Sequence, residues 1–337
     1  MGRRETILAC GGAGFIGSHA CVVLLLKGYD VIVLDNFANA RRDVLKHISK
    51  ICGRKPHLIQ GDIRNRACMH DVFANYRIDA VMHFAGLKSV SESVSLPWLY
   101  YDINVHGTLN LLTAMREAEV FRLIYSSSCT VYGNAEHMPL TEDCARGFTS
   151  PYGHTKLVVE DILHEFAKAD TRWAISCLRY FNPLGAHKSG TIGERQLGTP
   201  SNLMPLIVQV AAGERDFLRV YGNDYPTADG TAVRDYIHVM DLVEGHLAAL
   251  VYIQENEGWH AVNLGRGKGT SVLQLIGTFE TAVNRSVPWE FAPRRFGDIP
   301  VCWADPTLAS RLYGWAAHRS LEQMCLDAWH WQCSYLP

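Results

Sequence analysis

The side chains in this sequence best suited to chemistry are a tyrosine and a lysine, Tyr152 and Lys156, in the stretch SPYGHTK at 150–156. A helical pattern continues to Ala169, and positions i and i+4 share one face of a helix. A free tyrosine has a pKa of about 10, and a neighbouring cation favours the phenolate. The spacing therefore indicates a proton-transfer pair, whereas on a solvated helix face the same two residues would have no chemical role.

A third candidate group follows an apolar strand that we predict at 122–126. The chain continues there as SSSCTVYG at 126–133. Three serines at a strand end can simply satisfy the polar groups of a turn. The functional interpretation makes Ser128 a hydrogen-bond partner of a substrate hydroxyl, beside Tyr152. Local sequence leaves both interpretations open.

The elements that must position these side chains begin with a glycine-rich loop, after a short strand at 6–10 and before a helical run at 16–27. Gly11, Gly14 and Gly17 have the spacing G-x-x-G-x-x-G. Such glycines let the backbone turn tightly and approach a pyrophosphate, which rests on the N-terminus of the helix. This order of strand, loop and helix predicts a dinucleotide site.

The next predicted strand, at 31–34, ends in an acidic residue, Asp35. Dinucleotide-binding folds place an acid at this point to bind the 2′-hydroxyl of a ribose. A carboxylate there repels a 2′-phosphate. The combination of loop and acid therefore predicts NAD rather than NADP as the cofactor.

Predicted strands and helices continue to alternate along the chain. Further strands are expected at 57–60, 80–84, 122–126 and 174–178, and helices at 41–51, 66–76, 99–119 and 152–169. This alternation predicts an α/β fold, a Rossmann-type doubly wound parallel sheet that binds ligands at the carboxyl ends of its strands. Asp62 and Lys88 follow two of these strands. We expect Asp62 to reach the adenine side of a dinucleotide and Lys88 the phosphate or nicotinamide side.

The alternation becomes irregular in the second half of the chain, where loops rich in glycine and proline occur at 185–200 and 222–230. We therefore predict an NAD-binding Rossmann domain at 1–181 and a smaller mixed α/β substrate-binding domain at 182–337. The prediction leaves open whether segments around 237–265 pack against the first domain.

Composition narrows the classes of function. The 337 residues include 32 Lys and Arg and 34 Asp and Glu, for a net charge of −2, which argues against a nucleic-acid partner held by a positive field. The ten cysteines form no C-x-x-C pair, so we expect reduced thiols and a cytoplasmic location. The fifteen histidines show no metal-binding spacing, and we expect no metal. No apolar run approaches the ~18 residues of a membrane span.

Taken together, these motifs resemble the UDP-galactose 4-epimerases of the extended short-chain dehydrogenase/reductase superfamily, from about Thr6 to Trp331. The resemblance rests on the segments 11–19, 34–36, 61–64, 83–88, 126–133, 150–156, 178–183, 202–205, 222–227, 230, 233–239, 293–295 and 297–298. It implies a tightly held NAD and reversible C4 epimerisation of UDP-hexoses through a 4-keto sugar. Tyr152 would take the proton of the sugar 4-hydroxyl, with Ser128 in the same network, and Lys156 would bind the nicotinamide ribose and help to keep Tyr152 ionised.

The resemblance also implies binding roles for other residues. The cofactor set would be Gly11, Gly14, Phe15, Ile16, Gly17, Asp35, Asn36, Asp62, Ile63, Phe84, Ala85, Gly86, Lys88, Asn104, Ser126, Tyr152, Lys156 and Tyr180. The substrate set would be Ser128, Tyr152, Phe181, Asn182, Asn202, Leu203, Tyr221, Arg234, Arg295, Asp298 and Cys302. A homodimer formed through the two long helices at 99–119 and 152–169 is also implied.

One departure from the family pattern bears on the substrate. Cys302 stands where family members that close the pocket around glucose and galactose have a tyrosine. The smaller cysteine leaves room for a 2-acetamido group, so we expect UDP-GalNAc and UDP-GlcNAc to be accepted too.

Two other functions remain as alternatives. Related 4,6-dehydratases carry an Asp-Glu pair where this chain has Cys129 and Thr130, and a non-catalytic NAD-binding regulator would tend to lose Tyr152 or Lys156.

Overall fold

The structure is a computed structural model that describes residues 3–135, 137–195, 197–198, 200, 202–295 and 297–334. The strands are β1 (Thr6–Cys10), β2 (Asp30–Asp35), β3 (His57–Gln60), β4 (Ala80–His83), β5 (Arg122–Ser128), β6 (Ala174–Tyr180), β7 (Asn182–Leu184), β8 (Leu218–Tyr221), β9 (Val233–His238), β10 (Gly258–Leu264), β11 (Gly269–Ser271), β12 (Trp289–Ala292) and β13 (Val301–Cys302). The helices are α1 (Phe15–Leu26), α2 (Val44–Cys52), α3 (Arg66–Asn75), α4 (Val90–Ser95), α5 (Pro97–Tyr100), α6 (Gly107–Glu117), α7 (Pro151–Ala169), α8 (Leu203–Ala211), α9 (Val239–Tyr252), α10 (Val272–Val283), α11 (Thr307–Tyr313) and α12 (Leu321–Cys333).

The largest sheet has seven strands in the order β10-β6-β5-β4-β1-β2-β3. Strand β1 pairs in parallel with β2 and β4, β2 with β3, and β4 with β5. Helices cover both faces of such a sheet, so its central strands are buried along almost their whole length, as in β1 and β6. The predicted Rossmann-type doubly wound fold is confirmed.

The predicted long helix at 99–119 is interrupted. Helix α5 begins at Pro97, a six-residue π-helical stretch follows at Tyr101–His106, and α6 continues to Glu117. π-Helical turns are rare and frequently occur at functional sites. The prediction was wrong in this detail because apolar spacing does not distinguish an α-helical turn from a slightly wider one.

Contacts along the chain divide it into two compact units. The first contains residues 3–133, 145–179 and 243–262, and the second contains the described residues of 134–144, 180–242 and 263–334. The first unit is built on a core that includes Leu8, Ile32 and Leu123 from the large sheet. The second has its own core, which includes Ile207 from α8 and Phe279 from α10. The functional domains at 1–181 and 182–337 remain a prediction.

Two smaller sheets belong to the second unit. Strand β9 pairs with β11, β13 and β7, and β8 pairs with β12. The strands are short, which explains why alternation of apolar residues did not reveal them. In the described part of the chain, no helix is both long enough and apolar enough to cross a membrane.

Candidate active site

The glycine loop between β1 and α1 leaves no space for side chains at two of its positions. Gly11 has a φ of +75°, and a Cβ atom there would lie 2.6 Å from the backbone nitrogen of Ala85. A Cβ atom on Gly17 would lie 2.3 Å from the carbonyl oxygen of Gly11. Gly14 is less crowded and forms the N-cap of α1, and Phe15 and Ile16 begin the helix. The close packing creates the exposed helix N-terminus that a pyrophosphate requires.

Asp35 at the end of β2 is buried and fastens this loop. One of its carboxylate oxygens accepts a hydrogen bond from the Ala13 amide at 3.0 Å, and the other accepts from the Phe37 amide at 2.8 Å. Burial raises the pKa of Asp35, and the two amide hydrogen bonds oppose that shift. Each carboxylate oxygen retains a lone pair. The residue can therefore bind a ribose hydroxyl while it holds the loop.

A charged cluster follows β3. The Arg64 guanidinium donates to both carboxylate oxygens of Asp62, at 3.0 and 2.8 Å, and the Asn36 amide donates to one of them at 2.9 Å. These hydrogen bonds lower the pKa of Asp62 to about 2. Ile63 between them is buried. The cluster keeps an ionised acceptor next to the end of β2, on the side of the sheet edge where Asp35 lies.

Asn104 in the π-helical stretch holds the loop after β4. Its side-chain oxygen accepts from the Leu87 amide at 2.8 Å, and its side-chain nitrogen donates to the Leu87 carbonyl and to Thr155, both at 3.0 Å. A Cβ atom on Gly86 would lie 2.9 Å from the Asn104 oxygen and 4.0 Å from the Lys156 ammonium. Both N–H donors of Asn104 are thus used by protein groups, while its oxygen retains a lone pair. Phe84, Ala85 and Lys88 lie on the same loop.

Ser128, Tyr152 and Lys156 come together at the end of β5 and the first turns of α7. The Ser128 hydroxyl hydrogen-bonds to the Tyr152 phenol and also accepts from the Thr130 amide at 3.2 Å. The Lys156 ammonium donates to the Ser126 carbonyl at 2.7 Å and lies 6.0 Å from the centroid of the Tyr152 ring. Ser150 caps the helix by accepting from the Gly153 amide. All three proposed catalytic side chains are buried.

The pKa values of this set differ from the shift that spacing predicts. Burial raises the pKa of Tyr152 to about 12, while its hydrogen bond with Ser128 lowers it. Burial also lowers the pKa of Lys156 to about 8, against the attraction of Glu160. Desolvation is thus the largest influence on the phenol, and the expectation that Lys156 favours the phenolate stays a prediction.

The second unit carries most of the residues predicted to bind a nucleotide and a sugar. Arg234 on β9 lies 3.7 Å from the Asp298 carboxylate, and both side chains are partly buried. Cys302 on β13 is buried and is the register partner of Arg234. Arg295 lies 4.1 Å from the ring centroid of Tyr221, at the end of β8. The second unit therefore contains two guanidinium groups, a carboxylate and an aromatic ring among its predicted binding residues.

The remaining predicted substrate residues line the strand and helix ends of the same unit. Asn182 begins β7, and Asn202 is the N-cap of α8 and donates to Glu194 at 2.6 Å. Leu203 is the first residue of α8. Phe181 is buried, and its amide donates to the Leu264 carbonyl at 3.3 Å. Tyr180, predicted to touch the cofactor, is the last residue of β6.

Two tyrosines that sequence reasoning did not select lie beside predicted site residues of their own units. The Tyr100 ring packs edge-on against Tyr152, with ring centroids 6.4 Å apart. Tyr225 is buried under Arg294, whose guanidinium lies 4.2 Å from its ring centroid. Among the described residues its hydroxyl has no hydrogen-bond partner, and Asp298 and Arg234 both act on it electrostatically. Tyr225 occurs in one of the matching family segments, which was the available signal.

Comparison with known proteins agrees with this geometry. Residues 8–328 match the family model described as GDP-mannose 4,6 dehydratase. A curated UDP-glucose 4-epimerase of Bacillus subtilis is 51% identical over 97% of each chain. A crystal structure of UDP-glucose-4-epimerase from Stenotrophomonas maltophila with bound NAD and formylated UDP-arabinopyranose has a TM-score of 0.96, 48% identity and 98% coverage of both chains.

A second solved structure has the same fold. It is UDP-glucose 4-epimerase from Bifidobacterium longum in complex with NAD+ and UDP, with a TM-score of 0.96 and 46% identity, and the match covers 98% of this chain and 99% of that one. These matches span nearly the whole length of the chain. This protein therefore belongs to the UDP-glucose 4-epimerase family, within the short-chain dehydrogenase/reductase fold.

Proposed function

We propose that this protein is an isomerase that interconverts UDP-galactose and UDP-glucose by inverting C4 of the hexose. The observation that carries the proposal is the buried group of Ser128, Tyr152 and Lys156 at the carboxyl end of the large sheet. Membership of the epimerase family supports the same reaction. A buried phenol that is hydrogen-bonded to a serine and lies near an ammonium is suited to moving one proton of a sugar hydroxyl.

NAD is the proposed cofactor, and the residues present fit it. Gly11 and Gly17 admit no Cβ atom, which is what a loop in close contact with a pyrophosphate needs. Asp35 offers a carboxylate to the ribose, and Asp62 offers a second acceptor nearby. When bound, NAD would supply the acceptor and the donor of a hydride for C4 of the sugar.

Residues of the protein itself would accept and return the proton of the sugar 4-hydroxyl. Tyr152 would accept the proton of the 4-hydroxyl and return it after the sugar has turned over. Ser128 donates a hydrogen bond that stabilises the phenolate, and Lys156 supplies positive charge from its place on the Ser126 carbonyl. Burial of the three groups removes water, which strengthens these electrostatic interactions. The phenol has a pKa of about 12 with Lys156 already in place, so the cationic ring of bound NAD would have to add the positive charge that favours the phenolate at neutral pH.

The residues of the second unit would bind the nucleotide portion. Arg234 and Arg295 are suited to phosphate oxygens, because guanidinium groups pair with them bidentately. Tyr221 offers an aromatic face to uracil, and Asp298 an acceptor to the uridine ribose. Binding energy placed on the non-reacting part of the substrate leaves the hexose weakly held. Weak binding of the hexose is a requirement here, because both of its orientations must be close in energy.

The rival reactions are less well supported. A 4,6-dehydratase, the name of the matching family model, also needs an acid–base pair for elimination of water. This chain has Cys129 and Thr130 next to Ser128, and neither is a carboxylic acid. A non-catalytic NAD-binding regulator has no need of the buried hydrogen bond between Ser128 and Tyr152.

The reaction is tested by incubating the purified protein with UDP-galactose in the absence of added NAD and analysing the sugar nucleotides. We expect an equilibrium mixture of UDP-galactose and UDP-glucose, with no 4-keto-6-deoxy product. Accumulation of such a product would identify a dehydratase. Unchanged UDP-galactose after supplementation with NAD would refute the proposed function.

We also propose that the enzyme converts UDP-GalNAc and UDP-GlcNAc. Cys302 is buried and its side chain is much smaller than the tyrosine expected at this position in members that take plain hexoses. The test is Cys302→Tyr, which should abolish turnover of UDP-GalNAc and leave UDP-galactose turnover within about threefold. Cys325→Val, a change of a buried cysteine in α12, serves as the control. Brisk turnover of UDP-galactose by the unmodified enzyme with none of UDP-GalNAc would contradict the proposal.

The active form is proposed to be a homodimer in the cytoplasm. Apolar side chains remain exposed near the helices expected to pair, including Trp98 with 67% exposure and Leu109 with 36%. Light scattering coupled to gel filtration should give about twice the chain mass of 37.7 kDa. Trp98→Glu with Leu109→Glu should shift that mass toward the monomer. A single monomeric peak for the unchanged protein would refute the dimer, and cell fractionation tests the location.

A further inference from the structure

A buried ion pair lies directly behind the proposed catalytic group. Arg179 on β6 donates to both carboxylate oxygens of Glu160 on α7, at 3.0 and 2.8 Å, and the two side chains are 1% and 0% exposed. Burying two charges costs free energy of desolvation, and apolar residues of similar volume are often as good for stability. Stability alone therefore does not explain why these charges are placed here.

The ion pair binds Ser127, which lies between Ser126 and Ser128. Those two residues make the contacts with Lys156 and Tyr152. The Ser127 hydroxyl donates to a carboxylate oxygen of Glu160 at 2.5 Å. On one side of Ser127, the Ser126 carbonyl accepts the hydrogen bond of Lys156. On the other side, Ser128 hydrogen-bonds to Tyr152. A shift of Ser127 would therefore move the contacts of both Lys156 and Tyr152.

Each member of the ion pair has a further partner. Arg179 donates to the Tyr132 hydroxyl at 3.0 Å, and Arg146 lies 3.6 Å from Glu160. Tyr132 follows the 3₁₀ turn at 129–131, immediately beyond Ser128. The ion pair thus hydrogen-bonds to Ser127 and to Tyr132, which lie on either side of Ser128 in the chain. Ser128 is the serine that contacts the Tyr152 phenol.

Glu160 also has an electrostatic effect on the site. Tyr152, Lys156 and Glu160 are spaced by four residues on α7, so they lie along one face of the helix. The titratable groups around Lys156 are Tyr152 and Glu160 on α7, Tyr125 on β5, His83 on β4 and Cys177 on β6. Burial lowers the pKa of His83 to about 3 and raises that of Cys177, so both are neutral at pH 7. Among these groups, Glu160 is the anion that favours the charged form of Lys156.

We propose that the buried pair of Glu160 and Arg179 is the positioning device of the active site. Glu160 fixes Ser127 and so the strand end that bears the contacts of Lys156 and Tyr152, and its negative charge keeps Lys156 protonated. Neither residue needs to touch the substrate. The inference rests on the proposed epimerase reaction for its kinetic readout, although its electrostatic part can be measured without turnover.

The charge is tested with Glu160→Gln, which retains an acceptor for Ser127 and removes the anion. We expect kcat for UDP-galactose to fall about tenfold with little change in KM, which is less than the 10²–10⁴-fold loss typical when the acid or base itself is removed. Loss of the anion should also move the alkaline limb of the kcat profile to lower pH by about one unit. The matched control is Asp161→Asn, which removes a carboxylate with 52% exposure at the next position of the helix and should change neither.

The positioning role is tested separately with Ser127→Ala, which keeps the ion pair and removes its link to the strand. We expect kcat to fall about threefold to tenfold with the alkaline limb unchanged. If Glu160→Gln does not fold, Glu160→Leu with Arg179→Met replaces both charges by apolar groups. That variant should fold, bind NAD and show a reduced kcat with the shifted alkaline limb.

Wild-type kcat and an unshifted pH profile in Ser127→Ala and in a folded charge variant would overturn the inference. NMR titration of lysine-labelled protein measures the pKa of Lys156 directly, with Lys156→Met to assign the signal. We expect that pKa to be lower in the charge variant than in the wild type, and equal values would overturn the electrostatic part. If the wild type shows no epimerase activity, the proposed function fails while this titration still tests Glu160.

Discussion

The chemistry of Tyr152 depends on its neighbours more than on its own side chain. Burial raises its pKa to about 12, so at neutral pH a smaller fraction of an isolated buried phenol would be ionised than of free tyrosine. The Ser128 hydroxyl acts in the opposite direction, and the Lys156 ammonium lies 6.0 Å from the ring centroid. The residue is thus held in a dry place where a small change in surrounding charge has a large effect on its ionisation.

Replacing Tyr152 by phenylalanine tests its role as the base. The ring packs as before against Tyr100, so we expect the fold and the affinity for NAD to persist. Epimerisation of UDP-galactose should slow by about 10²–10⁴-fold, the range for loss of a general base. Tyr76→Phe, which removes a hydroxyl from an exposed pair with His57, is the control. Unchanged kcat in Tyr152→Phe would exclude it as the base.

Lys156 should impose a cost on stability that depends on pH. Its pKa falls from about 10.5 in an unfolded chain to about 8 in the fold, a difference worth about 3 kcal/mol. Between these values the unfolded chain binds more protons, so the cost is full below pH 8 and disappears as the pH rises toward 10.5. The hydrogen bond to Ser126 offsets about 1 kcal/mol of it.

Lys156→Met removes this cost together with activity. At pH 7 we expect the free energy of unfolding to rise by about 2 kcal/mol relative to wild type, and the gain should vanish near pH 10. Urea unfolding at the two pH values measures the difference. Lys168→Met, at an exposed position of the same helix, should show no such dependence on pH. An equal effect at both pH values would contradict the lowered pKa of Lys156.

At the level of elements, the loops at the strand ends are held by side chains from neighbouring segments. Asp35 holds the glycine loop through Ala13, and Asn104 holds the loop after β4 through Leu87. The wider turn of the π-helical stretch brings Asn104 to this loop. These residues prearrange the backbone that approaches a dinucleotide, which lowers the conformational cost of binding.

Asn104→Ala should loosen the loop after β4. The amide and carbonyl of Leu87 lose their partners, and each unsatisfied buried polar group costs about 1–3 kcal/mol. We expect the free energy of unfolding to fall by about 2 kcal/mol and NAD to bind about tenfold more weakly. Calorimetric titration with NAD measures the second effect. Asn75→Ala at the exposed end of α3 should change neither, and unaltered NAD affinity in Asn104→Ala would refute the loop-holding role.

The whole molecule combines two units with separate cores and separate sets of proposed binding residues. Residues of the glycine loop and α7 belong to the first unit, and Arg234, Arg295 and Tyr221 to the second. In the proposed function, residues of the first unit perform proton transfer and residues of the second unit bind the nucleotide. Such separation suits a reaction in which one end of the substrate must stay fixed while the other turns.

NAD and UDP should therefore stabilise the protein independently. A ligand that binds only the folded state adds about 2.7 kcal/mol at 100 times its Kd. In thermal unfolding of protein stripped of NAD, we expect each compound to raise Tm alone and both together to raise it further. Gly17→Ala should abolish the NAD effect and retain that of UDP, and Arg295→Leu should do the reverse. Loss of both effects in either variant, with the fold intact, would contradict two separate residue sets.

Local patterns in the sequence were sufficient for the large sheet, the glycine loop, Asp35 and the spacing of Tyr152 and Lys156. They were sufficient because each of these features depends on a few neighbouring residues. The spacing of apolar residues, the glycines of a turn and the register of a helix are all local. The same reasoning located the strand ends where the site residues lie. It did not find the interruption of the helix at 101–106, nor the short strands of the second unit.

The tertiary structure decided what surrounds those residues. Burial raises the pKa of Tyr152, whereas its spacing from Lys156 predicts a lowered one, and burial lowers the pKa of Lys156. The bond from Ser127 to Glu160 joins a strand to a helix that are 33 positions apart, and the role of Asn104 depends on a loop 17 positions away. Desolvation and long-range hydrogen bonds arise only when distant segments pack together, so no local pattern could have predicted them.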